Sequence, residues 1–466
     1  MIRTETMRMF GRDIIYSSET EITRDNVLDA LRDAFPVHQK NSSQIDYLYR
    51  YYKGNQPVLY RQKMVRPEIN NRIVENHALE IVDFKKGYVF GEPIQYVRRG
   101  DGEDVSKKIA QLNEYMFAED KAAQDKELAE WFYICGTSYR MVLPGVPGNP
   151  PFELDVLDPR YTFVVYNNGF KKRPLMGVKY IRTNDGENLF SIYTPFEYFE
   201  IKDDVVIQRP HALGDIPIIE YPANTMRLGA FEVVLGLLDA LNNTASNRMD
   251  GIEQFIQAFM KFVNCDIDET TFTALKELGA LKIKSDSNNP ADVDIVSSEL
   301  DQSQAQITKD DLYQMILIIC GMPDRNGANR TTGDTGQAVI LRDGWSAAES
   351  RARDTELMFK GAEKQFLRLV LRIVKDMEGL ELSLGDIDIK FTRNKTDNLL
   401  VKTQGLQNML EAGIHPQIAI ANSGLFSDPE QTYLDSMPYL EKWLTKPAEI
   451  TPGNNKANPE NNGGTQ

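Results

Sequence analysis

Three observations predict an α+β chain that is mainly helical. From Phe231 to about Met377, apolar residues recur at helical spacing in three long stretches separated by two interruptions of different kinds. From Thr137 to Gln208 the period drops to two, with Pro-Gly, Asn-Gly and Asp-Gly turns between short runs. After Asp397 the pattern returns to short helices.

In chain order, residues 1–20 show no clear period and read as an arm. Thr23–Ala34 predicts a helix with Thr23 at its N-cap, and Asn41–Tyr52 predicts a second, stopped by Gly54. Tyr47, Tyr49, Tyr51 and Tyr52 are aromatic enough to stack on bases, but packing against neighbouring helices is the plainer expectation. Asn70–Phe84 is amphipathic, and KKGYVFGEPIQYV after it reads as a strand pair around Gly91-Glu92-Pro93. Lys107–Cys135 predicts one helix with Trp131, Phe132 and Ile134 at its buried end. A meander of about six strands follows, and Gly214–Asn224 crosses from it into the first long helix, Phe231–Asn264. That helix has no proline, and its apolar positions include Phe231, Leu238, Leu241, Ala245, Met249, Ile252, Ile256 and Val263. It would be a rod of about 50 Å, against an ordinary helix of about 11–12 residues. A compact monomer has little to lay along such a rod, so neighbouring subunits or partners are implied.

The insert from Cys265 to Leu300 predicts a short helix and two strands (ALKIKSD and ADVDIVSS), with eight acids against three lysines. A second helix, Ser303–Gly321, leads to a Gly/Asn/Thr-rich loop and the third long helix. LSLGDIDIKFTRN predicts a strand, and residues 447–466 are too polar and too rich in Pro, Gly and Asn to fold. A helical hairpin with an insert at its tip is an assembly device more than a catalytic pocket.

The chain has 466 residues, a net charge of −15, 41% hydrophobic and 26% charged residues. That allows two or three domains with real cores. The acidity argues against gripping nucleic acid by overall phosphate neutralisation, though not against letting it pass. Cys135, Cys265 and Cys320 have no CxxC spacing, so neither a disulfide framework nor a zinc site is expected. No apolar run reaches the length of a membrane span.

The loop at 321–336 precedes a helix, as phosphate-binding loops do. It lacks the Lys-Ser/Thr of a P-loop, because Gly336 is followed by Gln337-Ala338-Val339. A mobile connector is the simpler expectation; the alternative is a nucleotide- or phosphate-handling enzyme using this loop. The pairs Asp266/Asp268, Asp292/Asp294 and Asp386/Asp388 lie beside strands or turns where outward acids are ordinary, so no metal is expected. His38, His77, His211 and His415 share no ligand or catalytic spacing. Lys171-Lys172-Arg173 reads as a solvated hairpin tip. On these grounds no enzyme and no cofactor are expected.

Several stretches resemble the portal proteins of tailed bacteriophages, in particular the SPP1-type siphovirus portals. They are YYKGNQPVL (51–59), NNRIVENHALEIVDFKKGYVFGEPIQY (70–96), EWFYICGTSYR (130–140), GDIPIIEYPAN with RLGAFE (214–232), LDALNNTASNRMDGIEQF (238–255) and GMPD running to GDTGQAVILRDGW (321–345). The resemblance covers about residues 40–440 in order. It implies a portal fold assembled as a ring of about twelve subunits around double-stranded DNA, at a capsid vertex of the virion, assembled in the host cytoplasm. It implies a wing at 1–225 joined by the long helix and strand of 338–395. Stem helices would span 226–264 and 303–322, with a clip at 265–302, a tunnel loop at 323–337 and a crown at 396–446. Terminase, a head-completion adaptor, and major capsid and scaffolding proteins would be partners; no membrane is involved. The loop residues Asn326, Asn329, Arg330, Thr331, Thr332 and Asp334 would face DNA. Clip residues Lys282, Lys284, Asp292 and Asp294 would meet partners or adjacent clips. The acids Glu232, Asp239, Asp250, Glu253, Asp310 and Asp311 are the candidates to line the channel, where they would repel phosphates and keep the duplex from sticking.

Overall fold

The computed structural model describes residues 11–64, 66–99, 103–146, 148–256, 259–263, 292–296, 302–324, 344–393, 399–426 and 429–444. Helices outweigh strands, and the sheets are open. Contacts divide the chain into one unit through Asn394 and a second from Lys395.

In the first unit, a six-stranded sheet runs in the order β1-β5-β6-β7-β8-β9. Its strands are β1 (Ile15–Ser17), β5 (Thr162–Asn167), β6 (Pro174–Arg182), β7 (Asn188–Tyr193), β8 (Glu197–Lys202) and β9 (Val205–Pro210). Alternate residues Phe163, Val165, Met176, Val178, Ile192 and Phe199 face helix α1 (Val27–Tyr52), which buries Val27, Leu31 and Ala34 against them. The expected arm thus contributes β1, which pairs parallel with β5. The region 137–210 holds seven strands where about six were expected, and they divide between two sheets, the first two leaving the meander of β5–β9. The seventh is joined by Asp203-Asp204, both at positive φ (51° and 62°), the geometry of a tight two-residue hairpin. A second sheet, β10-β3-β4, is built from Ile218–Pro222, Thr137–Pro144 and Phe152–Leu157.

The two N-terminal helices are one. The buried stripe Val27, Ala30, Leu31, Ala34, His38, Asn41, Ile45, Leu48 and Tyr51 continues through Pro36. Pro36 is exposed, so the carbonyl it leaves without an amide partner faces water. Thr23 is not the N-cap: helix α1 starts after Asn26, whose Oδ1 accepts the Thr23 N–H. Tyr51 and Tyr52 are buried and Tyr47 and Tyr49 pack on the core, which is the packing role expected. The predicted 107–135 helix is two, α3 (Glu103–Ala118) and α4 (Lys121–Cys135), broken where Asp120 takes φ 50°.

Helix α2 covers His77–Phe90 and not 70–84, and no strand pair surrounds Gly91. KKGYVF forms the last turns of α2, and β2 (Gln95–Arg98) pairs with the distant β13 (Ile387–Lys390) instead. The first long helix is also shorter than expected. A 3-10 turn at Glu232–Val234 leads into α5 (Leu235–Ile256), 22 residues or about 33 Å. Phe259–Val263 leaves the helical path as β11, antiparallel to β12 (Asp292–Val296). Apolar residues at 259, 260 and 263 fit either period; a ladder partner some thirty residues on decided it. Helix α6 (Gln302–Cys320) packs with α5, and α7 (Trp345–Glu378) spans 34 residues between the left-handed Gly344 and Gly379. Its Phe359, Phe366, Val370 and Val374 enter the main core with Phe90, Phe132 and Tyr221.

The second unit consists of α8 (Leu399–Glu411), α9 (Pro416–Ser423) and α10 (Pro429–Leu444). The short helices predicted there are present. The predicted helix and first strand of the insert, and the tail at 447–466, lie outside the described residues.

Candidate functional site

The candidate site is the root of the α5–α6 hairpin, where three sets of buried polar contacts fix the hairpin in the first unit. The first is a ladder on α5. Asp239, Asn242, Ser246 and Asp250 recur one helical turn apart inside an otherwise apolar pattern. Opposite them the segment 70–76 runs extended and antiparallel. Asn71 N donates to Asp250 Oδ1 (2.7 Å), Ile73 N to Ser246 Oγ (3.0 Å) and Glu75 N to Asn242 Oδ1 (2.8 Å). Two extended residues advance about 6.6 Å and four helical ones about 6 Å, so alternate amides meet successive turns. This explains why 70–76 is not helical: its amides have partners on α5.

Asp250 also takes Arg61 at 2.7 Å and an ion pair from Lys63. Burial pushes its carboxyl up, but the hydrogen bonds from Lys63 and Asn71 outweigh burial and hold it below the ordinary 3.8. A group depressed in the folded state stabilises above its unfolded value and ceases to do so as pH falls through the folded value. We expect Asp250→Ala to cost about 1–3 kcal/mol and to expose 61–76 to limited proteolysis at neutral pH. Acidifying the unmodified protein to well below pH 3.8 should expose the same segment. A digestion pattern unchanged by both would contradict the assignment.

The second set anchors the start of the hairpin. Glu232 accepts Arg12 Nη2 (2.5 Å), Gly11 N (3.1 Å) and Gly229 N (2.9 Å). Nearby, Arg227 holds Glu220 in a bidentate pair (2.6 and 2.8 Å), and Tyr166 and Thr137 hydroxyls donate to the same carboxylate. Close packing here demands glycine at 136, where a Cβ would overlap the Arg227 backbone and φ is +85°.

The third set holds α7, and a separate contact from α2 holds the far end of α6. Glu363 is fully buried and accepts Lys121 (2.8 Å), Tyr221 (2.8 Å) and Tyr96. Asp125 takes Lys121 (2.8 Å) and Arg140 (2.6 Å). Burial alone would raise Asp125; the two cations bring it below its ordinary value. Lys85 Nζ donates to the Cys320 carbonyl (2.8 Å), a cation at the negative end of α6.

These contacts correct part of the channel-lining expectation. Glu232 and Asp250 are buried in ion pairs within the protomer and present no free charge to a bore. Asp239 is held by the Tyr51 hydroxyl (2.9 Å). Glu253 is half-buried, and Asp310 and Asp311 are exposed on α6, where Asp310 accepts Gln306. Asn326, Asn329, Arg330, Thr331, Thr332, Asp334, Lys282 and Lys284 lie outside the described residues. Asp292 and Asp294 fall on β12, paired with Val263 and Lys261 of β11; their side chains are not described. Sequence reasoning missed the ladder, although polar residues at turn spacing on α5 were its signal.

Among the described residues, no group of three or more His, Cys, Asp or Glu could hold a metal ion, and no helix is long and apolar enough to cross a membrane. The Cys135 thiol is pushed up to about 12 and that of Cys320 to about 11 by burial, which makes both poor nucleophiles. His38 is lowered to about 4 by burial and stacks on Phe163. Helix α6 keeps apolar residues in solvent: Ile307 is 60% exposed, Met315 52% and Ile318 74%.

A body that clamps a helical hairpin by buried ion pairs, and leaves apolar residues exposed along the hairpin, has the features of an assembly subunit. The sequence from 33 to 450 matches the family described as "Phage portal protein, SPP1 Gp6-like". The chain belongs to that family of phage structural proteins. No curated protein matches it. Among solved structures, it is similar to chains in the neck of empty and native gene transfer agent particles, computed with C6 and C12 symmetry. Each is 12% identical with TM-score 0.43, covering 75% of this chain and 90% of that one. A chain in the virion of the native gene transfer agent particle is 12% identical with TM-score 0.41, covering 84% and 92%.

Proposed function

We propose that the protein forms a closed ring of about twelve copies at a capsid vertex, assembled in the host cytoplasm, and conducts double-stranded DNA during packaging and ejection. The family match over 33–450 carries this reading. The exposed Met315, Ile318 and Ile319 near the end of α6 support it, because apolar side chains grouped on one stretch of surface suit an interface and a head-to-tail contact that closes gives a ring. The wing would comprise 1–225 with α7 and β13, the stem α5 and α6, the clip 265–302, the tunnel loop 323–337 and the crown 396–446. The ring would dock terminase, then a head-completion adaptor, within major capsid and scaffolding proteins. It does no chemistry itself; a separate motor drives the DNA. Of the acids, the exposed Asp310, which lies to one side of the Ile307–Ile318 row on α6, remains the best candidate to face the bore.

Native mass spectrometry with negative-stain imaging tests the ring: a stable monomer with nucleotide affinity would defeat the proposal. Within an assembled ring, Arg330→Ala should impair packaging or DNA retention without changing the mass. Normal packaged length and yield would remove this position from DNA contact.

A further inference from the structure

The chain has a net charge of −15, yet one face of α7 is cationic. Lys364, Arg368, Arg372 and Lys375 are all exposed and fall within an arc of about 80° on the helix, over about 16 Å of its length. The only acid between Leu357 and Lys375 is Glu363, buried on the opposite side. Lys364 and Arg368 have no ion-pair partner among the described residues, and neither packs a ring. Arg372 Nη1 donates to the Leu213 carbonyl (2.6 Å) near Asp215, and Lys375 pairs with the exposed Glu381 (2.8 Å). Lys360 borders the stripe above the Phe391 ring, beside the Asp388–Lys390 pair.

Successive like charges at i,i+4 repel and weaken the helix that carries them. Lys364, Arg368 and Arg372 make two such steps, and the fold gains no packing from the first two heads. That repulsion is relieved when a polyanion lies on the stripe. We infer that this face of α7 is a binding ridge for the phosphate backbone of double-stranded DNA, separate from loop 323–337. The choice of DNA as the polyanion rests on the proposed portal function. The cations stand about 6 Å apart along a straight rod, while a duplex offers one charge per about 1.7 Å of axis. Lys364 and Arg368, the two heads without an ion-pair partner among the described residues, can therefore each find a phosphate without regard to sequence.

The test is fluorescence anisotropy of a short random-sequence duplex with the full-length protein across a salt series. Lys364→Gln/Arg368→Gln should flatten the dependence of log K on log salt by about 1.8, about 0.9 for each lost contact. Lys364→Glu/Arg368→Glu should weaken binding at least about tenfold at low salt, and Lys364→Arg/Arg368→Lys should retain it. An unchanged slope, an unmodified protein that does not bind duplex, or equal affinity for polyglutamate would each overturn the ridge. Native mass of every variant separates the two readings. A ring with an unchanged slope sinks the ridge and leaves the channel proposal standing, whereas a flattened slope without a ring does the reverse.

Discussion

Replacing Glu363 with alanine will lower the stability of the first unit by about 3–5 kcal/mol, the largest single effect expected in this chain. The carboxylate is inaccessible and balances Lys121 and Arg140 together with Asp125. Without it, two cations share one buried acid, and the Tyr96 and Tyr221 hydroxyls lose their acceptor. Burial is the foremost cause holding both phenols well above their ordinary value, and it persists when the carboxylate is gone. Thermal melting of the purified protein measures the loss. Glu363→Gln separates the contributions: it keeps an acceptor for the tyrosines and discards the charge. A melting point within a degree or two of the unmodified protein for the alanine variant would mean that the network does not anchor α7.

Met315→Asp with Ile318→Asp is expected to abolish the proposed ring while leaving the protomer folded. Both side chains are more than half exposed, so the exchange removes no core packing and adds charge where water already reaches. An interface that buries them would have to desolvate two carboxylates, at a cost of several kcal/mol each unless paired. In a closed ring the penalty recurs at every contact. Sedimentation or native mass should report a shift from ring to small species, with circular dichroism unchanged. A ring of undiminished mass would place the subunit contact elsewhere.

Local patterns were sufficient for much of the fold. Helix α6, the long α7, the period-two region and the helices after 397 were all legible, because burial on one face imposes its period on the sequence. The boundaries that failed share a cause. The first helix was expected to end at Ala34, but Pro36 faces water and the apolar stripe passes it. Residues 259–263 looked helical, but their period was ambiguous. Residues 70–76 looked amphipathic, but their amides were claimed by Asn242, Ser246 and Asp250, about 170 positions away. The acids on and just before α5 illustrate the same limit. Composition counts Glu232 and Asp250 as free negative charge; Arg12 and Arg61 neutralise them in space.

What the sequence alone determined is therefore the type of most long elements, the helical pair α5 and α6, and a likeness to phage portals across most of the chain. Those rest on periodicity and on stretches short enough to read directly. Only the tertiary structure decided which charges are buried and which are free. An ion pair between residues 220 positions apart leaves no period behind, and its energy depends on a distance that the order of residues does not contain.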